Sequence, residues 1–196
     1  MLSRADWFTS PIFVTEWEDH SKHSGKFEKK ITAMMKTMRS QNRSSVNGWQ
    51  SVRNLQEHDF INPLMDFIPI SIFQTMVEMN VDLSKCRLKI DKVWANVNRP
   101  GSYNKSHQHN DSFLSGVYYL KVPENSGSIY FEDPRNLWCL LQASYTENNS
   151  FSRMEVEYEP KEGMVILFPS YLSHRVDINN SNKDRISISF NVSFVE

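Results

Sequence analysis

The 196-residue sequence predicts a mainly β fold, a sandwich, jelly roll or barrel, with N-terminal helices packed outside it. Three observations carry that expectation. From Arg87 onward the chain breaks into short β-rich runs separated by turn residues. The last run, RISISFNVSFV, alternates strictly between apolar and polar residues, and the segments of helical period all lie ahead of residue 87. With 39% hydrophobic and 12% aromatic residues the chain can bury one substantial core. A single domain over 1–196 is therefore expected, with 1–86 as helical support and 87–196 as the β core.

Taken in order, Phe27, Ile31, Met34, Met35 and Met38 recur at helical spacing and predict an amphipathic helix over 27–38, ended by the polar stretch from Ser40 to Ser45. A second helix is predicted over 70–79, beginning after Pro69 and stopping before Asn80. The runs RLKIDKVWANVN, FLSGVYYLKV, SIYFED, MEVEYEP, MVILFP, HRVDI and RISISFNVSFV then read as strands. Turn chemistry separates them at Arg99-Pro100-Gly101, Pro123 to Gly127, Asp133-Pro134-Arg135, Lys161-Glu162-Gly163 and Asn179 to Asn182. In the last strand Ile186, Ile188, Phe190, Val192 and Phe194 share one face, and Arg185, Ser187, Ser189, Asn191 and Ser193 the other. If the apolar face packs on the helices, the polar face looks into the barrel and carries Arg185 there on a rigid strand.

Net charge is -1, from 22 basic and 23 acidic residues, so no overall field favours nucleic acid or an anionic membrane as partner. Apolar runs fall short of the ~18 residues of a membrane span, and the N-terminus MLSRADWFTS has no apolar signal core; a cytoplasmic protein is expected. Cys86 and Cys139 then read as two reduced, buried thiols.

The chemistry concentrates in SHQHNDSFLSGVYYL, Ser106 to Leu120. In an extended strand His107, His109 and Asp111 would share a face, and the stretch holds both an H-x-H and an H-x-D pair. His174 follows in FPSYLSHRV, just past the strand MVILFP, and Arg185 lies beyond it. Neutral imidazoles and a carboxylate suit Fe(II), three facial ligands leave positions open, and an Arg fork grips a carboxylate bidentately. Trp94, Asn96 and Asn98 alternate on one strand face and are candidates to line the substrate side, Trp94 equally a candidate for the core.

These residues resemble the Fe(II)/2-oxoglutarate-dependent oxygenases. More narrowly, GWQS (Gly48 to Ser51), NVNRPGSYNKSHQHNDSFLSGVYYL (Asn96 to Leu120), YFEDPR (Tyr130 to Arg135) and FPSYLSH with RISISFN look like the branch labelled "putative 2OG-Fe(II) oxygenase", with similarity to aspartyl/asparaginyl and prolyl hydroxylases. The resemblance implies a double-stranded β-helix, a jelly-roll relative of the cupins. It implies Fe(II) and 2-oxoglutarate as cofactors, O2 and a further substrate as partners, and hydroxylation of a small molecule or protein side chain with release of succinate and CO2. No nucleic-acid or membrane partner is expected from the charge balance, and an oligomer is compatible with the sequence. His174 and Arg185 match the late metal His and the Arg that binds the distal carboxylate of 2-oxoglutarate, with Tyr118 and Ser187 as hydrogen-bond helpers. The first ligands stay open. An H-x-D alignment selects His109 and Asp111. The interval from Pro100-Gly101, similar to the aspartyl/asparaginyl hydroxylases, selects His107, with His109 where that branch has Gly. The favoured set is His107, His109 and His174, with Asp111 as the alternative to His107 or as an acceptor fixing an imidazole. Two competing readings are a cupin-like metal enzyme that does not use 2-oxoglutarate, and a non-catalytic jelly-roll binding protein.

Overall fold

Two antiparallel sheets that face one another position the candidate site residues. In this computed structural model, residues 2–3, 5–41, 43–135 and 142–195 are described. The strands are β1 (Phe13–Glu16), β2 (Ser45–Val46), β3 (Trp49–Gln50), β4 (Arg87–Asn98), β5 (Tyr103–His107), β6 (Leu114–Lys121), β7 (Ile129–Glu132), β8 (Glu155–Tyr158), β9 (Met164–Pro169), β10 (His174–Val176) and β11 (Arg185–Val195). One sheet runs β1-β9-β6-β11-β4-β3, the other β2-β5-β10-β7-β8. All seven predicted strand runs form strands.

The larger sheet has two chemically different faces, and β11 shows why. Ile186, Ile188, Phe190 and Val192 are buried on the face that meets the helices, with Val93, Ala95 and Val97 of β4 and Leu114, Tyr118 and Leu120 of β6. Helix α1 (His20–Thr37) contributes Phe27 and Ile31 to this core, and α2 (Asn62–Glu78) contributes Leu64, Ile68, Ile72 and Met76. A second cluster lies between the sheets, from Val117, Tyr119, Ile129, Phe131, Ile166, Phe168 and Leu172. Burying the apolar set of β11 on the helices turns Arg185, Ser187, Ser189 and Asn191 inward, because side chains alternate along a strand.

Five sequence expectations change, the first being the start of α1, at His20 rather than Phe27. Residues 1–86 are not purely helical: β1 pairs with β9, β2 with β5 and β3 with β4, strands too short for alternation to register. Helix α2 starts at Asn62 rather than Ile70, and Pro69 lies inside it. Pro69 removes one backbone hydrogen bond, yet four buried apolar side chains spanning both sides of it hold the helix on the core. The segment Asp59–Glu78 is long and apolar enough to cross a membrane by length and composition, although one side of it is buried here. Cys86 is partly exposed, with its thiol on the Asp82 carbonyl, and Cys139 lies outside the described residues.

Candidate metal centre

The three histidines arrive at one point by different routes. His107 is the last residue of β5 and His174 the first of β10, and the two are cross-strand partners, so sheet register alone sets their rings 4.3 Å apart, centroid to centroid. His109 comes from the connection between β5 and β6, where its N–H donates to the Ser170 carbonyl. Its ring lies 5.2 Å from each of the other two. One ligand nitrogen of each of His107, His109 and His174 lies within 4.8 Å of the others.

Hydrogen bonds on the far side of each ring set the tautomers. The Nδ1 of His107 bonds the Lys105 carbonyl at 2.8 Å, and that of His174 the Leu172 carbonyl at 3.0 Å. A carbonyl only accepts, so both Nδ1 atoms carry the proton and both Nε2 atoms keep a lone pair. The Nδ1 of His109 bonds the Asn191 side-chain oxygen at 2.8 Å, and the Ser115 hydroxyl lies 2.9 Å from it. Burial holds all three imidazoles neutral: it pushes His174 down to about 3 and His109 down to about 4, and lowers His107. The repulsion each imidazolium would meet from its neighbours adds to the effect for His174 and His109. Three neutral imidazoles with converging lone pairs could hold a borderline transition-metal cation.

Asp111 does not join them. The extended geometry that would have put His107, His109 and Asp111 on one face ends at His107, and residues 110–111 form a turn that carries the carboxylate outward to Lys92. That ammonium holds the Asp111 carboxyl below the usual carboxylate range.

Arg185 occupies the other end of the same narrow cavity. It is 2% exposed, and its Nη1 donates to the carbonyls of Gly127 at 2.8 Å and Ser126 at 3.3 Å. Gly127 has φ +90, and a Cβ there would lie 2.4 Å from the Asp177 carbonyl, so only glycine permits the turn that presents these carbonyls. No carboxylate pairs with Arg185 among the described residues, and its Nε is buried without a partner. Burial lowers its pKa, yet a guanidinium does not deprotonate in a protein. The arrangement is a desolvated cation short of an anion, and the carboxylate of a small molecule fits it.

Between the two ends one wall is polar, and its side chains pair with one another. Gln50 donates to Asn96 at 2.8 Å, Asn96 to Ser189 at 2.9 Å, Asn98 to Asn104 at 2.9 Å and Asn104 to Ser44 at 3.1 Å. Trp94, Asn96, Asn98 and Ser187 all line the cavity. Tyr118 does not. It is registered against Ile188, on the apolar face, and its hydroxyl lies 2.7 Å from His20 beneath α1. The neighbouring Tyr119, registered against Ser187, lines the cavity, and the Arg185 charge acts on it. Sequence reasoning missed Tyr119, Asn191 and Ser115. The alternation of β11 already placed Asn191 on the polar face, and the phase of β6 relative to β11 would have exchanged Tyr118 for Tyr119.

Residues 92–191, just over half of the chain, match the sequence profile of the family described as "Putative 2OG-Fe(II) oxygenase". No curated protein matches the chain in sequence. Among solved structures it is similar to a Pseudomonas putida prolyl-4-hydroxylase, with TM-score 0.62 and 13% identity over 94% of this chain and 93% of that one. It is also similar to the non-haem alpha ketoglutarate dependent epimerase SnoN from nogalamycin biosynthesis, with TM-score 0.66 and 11% identity over 94% and 76% of the two chains. HygX from Streptomyces hygroscopicus, solved with nickel and 2-oxoglutarate bound, gives 0.61 and 11% over 94% and 83%. These likenesses establish the fold, a double-stranded β-helix. The matched span runs from β4 through the histidine cluster to Asn191, and by it this chain belongs to the family of 2OG-Fe(II) oxygenases.

Proposed function

We propose that this 2-oxoglutarate-dependent oxygenase is a hydroxylase of a small molecule or protein side chain, with His107, His109 and His174 as its iron ligands and Arg185 as the anchor of 2-oxoglutarate. One observation carries the reading: a single cavity holds three neutral imidazoles at its mouth and, at its inner end, a buried guanidinium that lacks an anion. A divalent cation at the first and a dicarboxylate reaching the second would each find the complementary charge. Arg185 also weighs against the cupin-like alternative, because a metal enzyme without 2-oxoglutarate gives that buried cation nothing to do.

The geometry supports a division of labour among the residues. His107 and His174 are held by carbonyls of their own strands and His109 by Asn191, so the ligand set is oriented before any metal binds. The Asn96–Ser189 and Asn98–Asn104 pairs keep the walls from collapsing onto Arg185. Tyr119 and Phe168 close the apolar side against water, Phe168 packing 4.7 Å from the His174 ring. When bound, iron and 2-oxoglutarate together supply the oxidising chemistry that the side chains lack.

Anaerobic titration with Fe(II) and 2-oxoglutarate, followed by the visible charge-transfer absorption of the chelate, tests the assignment. The band is expected in the wild type and in Asp111→Ala, and is expected to vanish in His107→Ala. Loss in Asp111→Ala with survival in His107→Ala would restore the carboxylate as ligand. Bound iron with no band would remove 2-oxoglutarate from the site.

A further inference from the structure

The rim of the metal centre carries a charge pattern that neither the iron nor 2-oxoglutarate uses. A concavity of about 410 Å³ opens directly onto His107 and His109. Its walls include Arg43, Arg53 and Lys105, three cations, and a single carboxylate, Asp111. That carboxylate is engaged by Lys92, which also lies 3.7 Å from Asp91. Among the described residues no carboxylate comes within ion-pair distance of Arg43, Arg53 or Lys105.

Arg53 is the fixed member of the group. Its guanidinium lies 4.6 Å over the Trp94 ring, and Trp94 in turn lies 5.7 Å from the His109 ring, so the cation is two ring contacts from a metal ligand. Stacking orients the guanidinium while leaving its N–H donors free toward the concavity. Burial and the nearby Arg43 charge both disfavour the charged form, and Asp111 and Asp91 offset this only in part. A half-buried Arg beside a second Arg and a Lys is a standing electrostatic cost in the empty protein, relieved by an anion. The dicarboxylate cofactor is not that anion, since Arg185 at the inner end of the cavity serves it.

We infer that the rim receives a compact oxyanion of the substrate, a phosphate or a carboxylate, between Arg43, Arg53 and Lys105, and so positions the rest of an anionic substrate over the metal. This rests on the oxygenase reading of the same site. The substrate class it defines is narrower than small molecules and side chains at large: the oxidised carbon lies close to a negatively charged group. The chain as a whole is close to neutral, so the rim concentrates such a substrate locally rather than through net charge.

The test uses the chain loaded with Mn(II) and 2-oxoglutarate without oxygen, so that Arg185 is occupied, and titrates methyl phosphate and acetate separately by calorimetry. Millimolar binding of at least one is expected, and the stronger arm identifies the oxyanion. Arg53→Gln should weaken it about 10-fold or more, as for loss of a charge-assisted contact, and Arg43→Gln several-fold. Affinity for 2-oxoglutarate, measured in parallel, should change less than about two-fold in both variants. No binding of either anion at about 50 mM, or binding indifferent to Arg53→Gln in a variant whose circular dichroism matches the wild type, overturns the inference. If 2-oxoglutarate itself fails to bind, the oxygenase reading falls by that separate titration. The anion arms are then run on Arg185→Gln, where binding that still depends on Arg53 keeps the rim as an anion site, and binding lost with Arg185 overturns it.

Discussion

The two ends of the central cavity meet the same problem, burial of a basic side chain, and solve it in opposite ways. At the histidine end the side chains shed their charge: burial drives His174 to about 3 and His109 to about 4, and each proton that remains is donated to a carbonyl or an amide oxygen. At the arginine end the charge cannot be shed, and two backbone carbonyls satisfy one nitrogen while Nε keeps no partner. A neutral cluster of lone pairs recruits a cation, and an under-compensated cation recruits an anion. One ligand bridging both would couple the two ends, which is the geometry a metal-chelating dicarboxylate supplies.

The sharpest test of the histidine end is to remove a proposed ligand and, separately, the group that orients one. His174→Ala should lower Fe(II) affinity by more than about 100-fold, since it exceeds the 10–100-fold typical of an orienting partner. Asn191→Ala, which strips the 2.8 Å bond from His109, should fall within that lower range. Competition against a chromophoric chelator under anaerobic conditions measures both. Equal losses would mean that His109 does not depend on Asn191 for its orientation.

The arginine end should respond differently in binding and in stability. Arg185→Met is expected to weaken 2-oxoglutarate about 30-fold or more, from the ~2–5 kcal/mol attached to truncating one partner of a buried charged pair. The ligand-free chain should lose little stability or gain some, because the mutation replaces an uncompensated buried cation with an apolar side chain of similar length. Calorimetric titration and thermal melting read the two effects. A destabilised ligand-free variant would show that the Ser126 and Gly127 carbonyls already compensate the charge, and that the cavity's demand for an anion is weak.

Much of this contrast is written in the sequence. The strict alternation of RISISFNVSFV separates the helix-facing residues from Arg185, Ser187, Ser189 and Asn191, and turn residues separate most of the seven β runs. Other features are not local properties. Asp111 is a ligand candidate both by the H-x-D spacing and by an extended reading of the chain past His107; the turn at residues 110–111 removes the second ground, and nothing nearby in sequence announces Lys92 as its partner. The exchange of Tyr118 for Tyr119 depends on the register between β6 and β11, which two strands acquire only on pairing. Arg53 has no motif around it; its stacking on Trp94 exists because β4 carries that ring to the rim. The helix through Pro69 is set by burial on the core, against local preference.

The asymmetry of charge has a pH signature confined to the histidine end. In the unfolded chain a His takes up its proton near 6.5, whereas the folded His174 and His109 resist it down to about 3 and about 4. The unfolded state therefore binds more protons in this window. The stability these two residues confer is intact above about pH 6.5 and is lost as pH falls toward their folded values. Each fully responding imidazole should contribute a slope of about 1.4 kcal/mol per pH unit in metal-free protein. Arg185 stays charged in both states and adds nothing to the slope. Urea unfolding between pH 7 and pH 5 checks this, and His174→Gln should flatten the dependence. A slope unchanged by that substitution would assign the acid sensitivity to other groups.

The smallest expected effect is the one that separates the two ligand sets. Asp111 is held on the surface by Lys92, in an ion pair whose aspartate side chain is 67% exposed, and such pairs are worth about 0–1 kcal/mol. Asp111→Asn should therefore shift the melting temperature by a few degrees at most and leave Fe(II) affinity within about two-fold of wild type. The same substitution at a metal ligand would replace an anionic donor with a neutral amide and weaken the metal severely. A large loss of iron in Asp111→Asn would mean that the turn at residues 110–111 swings inward when metal binds, with Lys92 releasing the carboxylate to displace one imidazole. Retention of iron leaves the site electrically neutral on the protein side. On the proposed reading, neutral imidazoles would then leave the charge of the cation to the 2-oxo acid, and Arg185 would take the remaining carboxylate.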